Sequence, residues 1–173
     1  MIRSPEWMVN TTLSYEPFQL GATVLNSPGD HTDIVGTDAD FRIIANHKVL
    51  VAQLMEGMDA GADTGDPAMT LAVPVAQYRT DYLFHAPQNY DSLYVNVIAP
   101  MTATVMLDGV ALAGFTPIAA TGLGVLRHRL DKNGTGSYRI VGDEPFGIDV
   151  YGYGVATSFY YPGGLDLSEI VIQ

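Results

Sequence analysis

Cysteine is absent from this chain of 173 residues, so disulfides, thiolate metal sites and thiol nucleophiles are all excluded. Basic residues are scarce: eight Lys and Arg stand against nineteen Asp and Glu, for a formal net charge of −11. They form no cluster, so electrostatic attraction to phosphate has the wrong sign. Nucleic acid is therefore not an expected partner, and anionic membrane surfaces are disfavoured for the same reason. No run of about 20 apolar residues is present, so no membrane insertion is expected. The opening MIRSPEWMVNTT lacks a basic stretch followed by an apolar one, so it does not read as a signal peptide. It is expected to be cut from something longer. Hydrophobic content of 47% with only 16% charged residues is too apolar for a disordered chain. The length suits one generous domain or two small, closely packed ones.

What the chain does contain is a passage stated twice. Residues 41–57 read FRIIANHKVLVAQLMEG and residues 138–154 read YRIVGDEPFGIDVYGYG, aligned without a gap. Arg42/Arg139, Ile43/Ile140 and Gly57/Gly154 are identical, and Phe41/Tyr138, Ile44/Val141, Asn46/Asp143 and Val51/Ile148 keep their shape. The repeated unit is an apolar, β-branched strand, a polar turn and a second apolar strand. Self-similarity of this kind describes scaffold rather than chemistry. If both copies form equivalent strand–turn–strand units, Ile43, Val51, Ile140 and Ile148 all face the core.

Other segments follow the same grammar. Phe18–Leu25 is an apolar strand candidate. Leu93, Val95, Val97 and Ala99 alternate with Tyr94, Asn96 and Ile98, the period of two of a half-buried strand. Asp108-Gly109 between Thr104–Leu107 and Val110–Leu112 predicts a tight hairpin, because both central residues of a type I′ turn need positive φ. A second turn, DKNGTG, lies between Val125–Leu130 and Tyr138–Val141. The best helical stretch, Val75–Asp81, is short. Eighteen glycines and ten prolines spread along the chain supply the turns between many short strands. The expected fold is all-β: an antiparallel, jelly-roll-like β-sandwich with two internally similar halves. The expected organisation is an N-terminal strand segment over 1–32, a first β repeat unit over 33–92 and a second over 93–173.

Candidate sites are few. Asp59, Asp63 and Asp66 stand among small residues in the loop EGMDAGADTGDP, the hard oxygen ligands on a flexible backbone that Ca²⁺ requires. The spacing is not that of an EF-hand and no Glu closes it, so a solvated loop is the plainer reading, and no metal, cofactor or catalytic residue is assigned. Asp30, Asp33, Asp38 and Asp40, with His31, form a second acidic stretch best read as surface turns. His31, His47, His85 and His128 fall in no metal-ligand spacing, and His128 is flanked by Arg127 and Arg129. No nucleophile elbow is present. Glu56, Glu144 and Glu169 sit at strand ends or in the tail, so no enzyme is expected. Asn10-Thr11-Thr12 and Asn133-Gly134-Thr135 fit the glycosylation sequon. Tyrosines crowd two regions: Tyr78, Tyr82, Tyr90 and Tyr94, then Tyr151, Tyr153, Tyr160 and Tyr161. Exposed, they offer rigid contact area for proteins or glycans; alternation buries about half of them in any sandwich.

Extended phrases resemble the IgG Fc-binding protein N-terminal domain family. They are TDIVGTDADFRIIANHKVLVAQLMEG, GDPAMTLAVPVAQYRTDYLFHAP, YVNVIAPMTATVMLDGV and PFGIDVYGYGVATSFYYPGGLDL, which together cover most of residues 33–167. The least generic parts are Gly65–Met69, Val73–Tyr82 and Tyr161–Leu167; residues 1–32 do not match clearly. The resemblance implies the later part of a larger β-rich module of bacterial surface or secreted type, and no binding residue carries over by position. The expected function is a non-catalytic, extracellular or cell-surface module for adhesion or for binding a protein or glycan surface, within a larger multidomain protein. Two alternatives stand beside it. One is a self-assembling subunit of a surface layer or filament, pairing through apolar ends such as Ile170–Ile172. The other is a carbohydrate-active or lectin-like domain.

Overall fold

The computed structural model describes residues 2–3, 10–60 and 64–167. Among them the regular secondary structure is almost entirely strand, with single-turn 3-10 segments at Met58–Ala60 and Val75–Gln77. All strand pairs are antiparallel, as an all-β sandwich requires.

The N-terminal part forms two small sheets. Its strands are β1 (Ile2–Arg3), β2 (Thr11–Glu16), β3 (Val24–Leu25), β4 (His31–Thr32), β5 (Arg42–Ala45), β6 (Leu50–Leu54) and β7 (Met69–Leu71). They pair in the orders β4-β1-β6-β7 and β3-β2-β5. Ile2, Leu13 and Leu25 are buried between them, with Tyr15, Ile43, Ala45, Val49 and Val51 packed around. The strand expected over Phe18–Leu25 is confined to its last two residues, and Thr11–Glu16 is the longer strand instead. Phe18 and Leu20 stand 72% and 87% exposed: they are apolar but have no facing layer.

The larger part is a sandwich organised by one long strand. Its strands are β8 (Arg79–His85), β9 (Ser92–Pro100), β10 (Val105–Leu107), β11 (Val110–Ala111), β12 (Thr116–Pro117), β13 (Leu123–Arg129), β14 (Ser137–Gly154) and β15 (Thr157–Pro162). The first half of β14 pairs with β8 and β10, giving the order β11-β10-β14-β8. Its second half pairs with β9 and β15, giving β12-β13-β9-β14-β15. Between the halves the register shifts across Val141 to Phe146, so one strand passes from sheet to sheet at a bulge.

Local chemistry explains the bend. Pro145 has no N–H to contribute to a ladder. Asp143 Oδ1 accepts a bond from Thr104 N (2.7 Å), and Glu144 accepts one from the Thr102 hydroxyl (2.6 Å). A Cβ on Gly142 would lie 2.8 Å from the Phe146 ring, so only glycine lets that ring fold back. Tyr82 meets Phe146 edge-on at 5.1 Å, and its hydroxyl donates to the Phe146 carbonyl. Both inner faces feed one core that includes Leu93, Val95, Val97, Val105, Ile140, Phe146, Ile148 and Val150.

The two copies of the repeat are therefore used differently. The first is two separate strands, β5 and β6, while the second is the single bent strand β14. Ile140 and Ile148 are fully buried, whereas Ile43 and Val51 are only half-buried against the smaller cluster. The alternation in β9 is as expected, with its odd-numbered residues inside. The Asp108-Gly109 hairpin is also found: φ is 48° and 80° at its two central residues, and Leu107 faces Val110. DKNGTG is not a hairpin tip, because β13 and β14 lie on opposite sides of β9. Its Asp131 instead accepts bonds from Asn133 N and, through its carbonyl, from the Tyr138 hydroxyl.

Candidate functional site

Two surfaces stand out once the inner faces are accounted for. The first is the outer face of the five-stranded sheet. Alternation sends Leu93, Val95 and Val97 inward on β9, and Ile148 and Val150 inward on β14. Tyr94, Asn96, Asp149, Tyr151 and Tyr153 then point the other way. Register aligns them in cross-strand rows. Tyr94 lies opposite Tyr151, which lies opposite Tyr160; in the next row Arg127, Asn96 and Asp149 are successive neighbours.

The tyrosine row is continuous. Tyr94 and Tyr151 stack at 5.1 Å, and Tyr160 meets Tyr151 edge-on at 5.7 Å. Burial pushes the Tyr151 phenol up to about 12, and burial together with the charge of Asp149 raises those of Tyr160 and Tyr78 further. These hydroxyls remain neutral near pH 7. A Cβ on Gly147 would lie 2.4 Å from the Tyr78 ring, so the glycine permits that ring to lie flat on the sheet.

The polar row is incompletely satisfied. Asp149 receives no hydrogen bond among the described residues, and burial pushes its carboxyl up to about 6. Asn96 Oδ1 is buried without a partner. Arg127 turns away to hold Asp40 through two bonds of 2.6 and 3.0 Å. That ion pair ties the N-terminal part to this face, together with bonds from Asp66 N to Ser158 Oγ (3.2 Å) and from Thr64 Oγ1 to the Gly154 carbonyl (3.1 Å).

The second surface is an apolar ladder on the N-terminal sheet. The β6–β7 register sets Ala52 opposite Leu71 and Leu54 opposite Met69, on the face that Leu50 shares. Leu54 is 62% exposed and Met69 59%, and Leu50 and Leu71 are also exposed. The connection between these strands carries Glu56, Asp59 and Asp66, which add negative charge at one end of the ladder.

The remaining predicted residues are dispersed. Asp59 lies in the 3-10 turn Met58–Ala60, Asp66 bonds Ser158 through its backbone, and Asp63 is outside the described residues. No three His, Asp or Glu side chains converge among the described residues. Asp30 caps its own turn, accepting from Asn26 N and Ser27 N at 2.9 Å, while Asp33 and Asp38 are exposed. His31 and His47 are exposed, His85 contacts Ser137 Oγ at 3.3 Å, and His128 is half-buried. Glu169 and Ile170–Ile172 lie outside the described residues. Of the crowded tyrosines, Tyr82 is in the core and Tyr90 and Tyr161 pack against it. The pairing of Asn96 with Asp149 was not foreseen. Alternation placed Asn96 on the outer face, but only the β9–β14 register brings Asp149 beside it.

The family described as IgGFc binding protein matches residues 8–152. This chain belongs to that family. The match starts well before residue 33, so it takes in the small N-terminal strands that the sequence phrases left out. It ends inside β14, so β15 and Tyr161–Leu167 lie beyond it. No curated protein and no solved structure gives a significant match. Among the described residues no helix is long and apolar enough to cross a membrane.

Proposed function

We propose that this chain is a non-catalytic, extracellular or cell-surface β-sandwich module that binds a protein partner, within a larger multidomain protein. The observation that carries this reading is the exposed ladder of Leu50, Leu54, Met69 and Leu71. Single exposed apolar residues need no explanation, but a registered cross-strand set on one sheet face is what a protein interface uses as its centre. The family's description supports a protein as the ligand, and the net charge of −11 favours a partner with basic residues around its own apolar patch. Adhesion then follows from modest affinity multiplied by repetition in a longer chain.

The test is a biosensor titration with immunoglobulin G Fc fragment, run beside a glycan array and light scattering of the protein alone. Saturable Fc binding that weakens at least about tenfold in Leu54→Asp/Met69→Asp supports the reading; a tenfold loss is about 1.4 kcal/mol. Binding indifferent to that variant would place the contact elsewhere. Glycan binding alone would favour the lectin-like alternative, and concentration-dependent growth in mass the self-assembling one.

A further inference from the structure

The outer face of the five-stranded sheet sets a carboxyl opposite a buried, unpartnered amide oxygen. Asn96 and Asp149 are directly opposite in the β9–β14 register. Such antiparallel neighbours have Cβ atoms about 4.5–5.5 Å apart, within reach of a carboxyl–amide bond. Asn96 Oδ1 is buried and unpartnered, and Asp149 receives no donor among the described residues. With Asn96 so oriented, an ionised Asp149 offers it no donor, and the buried Oδ1 stays unsatisfied at a cost in free energy. When Asp149 carries a proton, its O–H complements the amide oxygen.

We propose that Asp149 and Asn96 form a proton-dependent latch, in which the protonated Asp149 carboxyl donates to Asn96 Oδ1 and tightens the face on which the N-terminal sheets rest. The surroundings fit this role. Tyr160 from β15, Tyr82 from β8 and Tyr78 ahead of β8 feel the charge of Asp149, and all three are neutral near pH 7. Arg127 of β13 lies beyond Asn96 in the same row and is engaged with Asp40. Arg79 lies over the Tyr82 ring, 5.7 Å from its centre. Burial is the sole cause of the shift at Asp149, and no cation offsets it. Its carboxyl is raised from 3.8 to about 6, so the folded state holds the proton more tightly than the unfolded one. The stabilisation is therefore complete below the unfolded value and lost as pH rises through about 6. Arg127, Ser158 and Gly154, which hold the N-terminal part, are on the same or neighbouring strands. The latch thus firms that attachment under mildly acidic conditions.

The experiment compares thermal unfolding of the wild type and Asp149→Asn at pH 7.5 and pH 5.0, with and without added Ca²⁺. A carboxyl NMR titration of Asp149 accompanies it and requires only that the wild type fold. Asn at 149 mimics the protonated carboxyl, since its NH₂ donates to Asn96 Oδ1. The latch predicts that the variant melts at or above the wild type at pH 7.5. It also predicts that the wild type gains several degrees on acidification, that the variant loses most of this gain, and that the NMR midpoint lies near 6. A midpoint near 4, or a variant less stable than the wild type at pH 7.5, would mean that Asn96 turns its NH₂ to an ionised Asp149, and the proposal fails. Calcium stabilisation present in the wild type and absent in Asp149→Asn would equally overturn it in favour of a cation site.

Discussion

The N-terminal sheets and the corner-strand sandwich are made from similar sequence grammar but reach different degrees of closure. Fourteen buried residues form the sandwich core, against three in the N-terminal cluster. Eleven of the seventeen large hydrophobic side chains left exposed among the described residues fall between Phe18 and Val75. The cause is strand length. Strands of two to six residues cannot cover both faces of a sheet, whereas the 18-residue β14 serves two sheets and gives each an inner face. The lesson is a division of labour: the sandwich supplies the stability, and the N-terminal sheets supply apolar surface that has not been used internally.

Removing the hinge of the corner should have the largest effect. Phe146→Ala is expected to cost about 3–5 kcal/mol in denaturant unfolding, because the ring fills the core and covers Gly142. Leu13→Ala should cost less, about 2–3 kcal/mol, and loosen only residues 10–60 in hydrogen exchange. Equal effects on the whole molecule would erase the proposed difference between the two regions. Gly109→Val tests the backbone alone, since nothing lies within 4 Å of the position. The positive φ should cost about 1 kcal/mol or more, read as a lower Tm. Arg127→Ala removes a half-exposed ion pair and should cost no more than about 1 kcal/mol globally, while raising exchange in the N-terminal strands. Leu54→Asp should change stability by no more than about 0.5 kcal/mol, because the side chain packs against little. A large loss there would show that the ladder is core rather than surface.

Much of the sandwich was legible in the sequence. The period of two in residues 93–99 and the Asp108-Gly109 signal rest on local chemistry, and local chemistry decides them. The bend in β14 was not legible as a bend. Gly142, Asp143, Glu144 and Pro145 are turn formers, and in the first copy Asn46, His47 and Lys48, which correspond to the last three, do separate two strands. In the second copy Thr102 and Thr104 bond the acidic side chains and keep the chain extended, and they lie 42 and 39 residues away in sequence. The polar row was hidden for the same reason, since Asn96 and Asp149 become neighbours only through register. Phe18 and Leu20 misled because apolar character predicts burial only where a second layer exists to bury against.

The claim that the N-terminal ladder is the recognition surface is tested most directly by hydrogen exchange with and without saturating immunoglobulin G Fc fragment. The account predicts new protection confined to β6, β7 and residues 55–68, with the sandwich strands unchanged. Protection over β8 or β15 with none at Leu50–Leu71, or no protection at all, would contradict it.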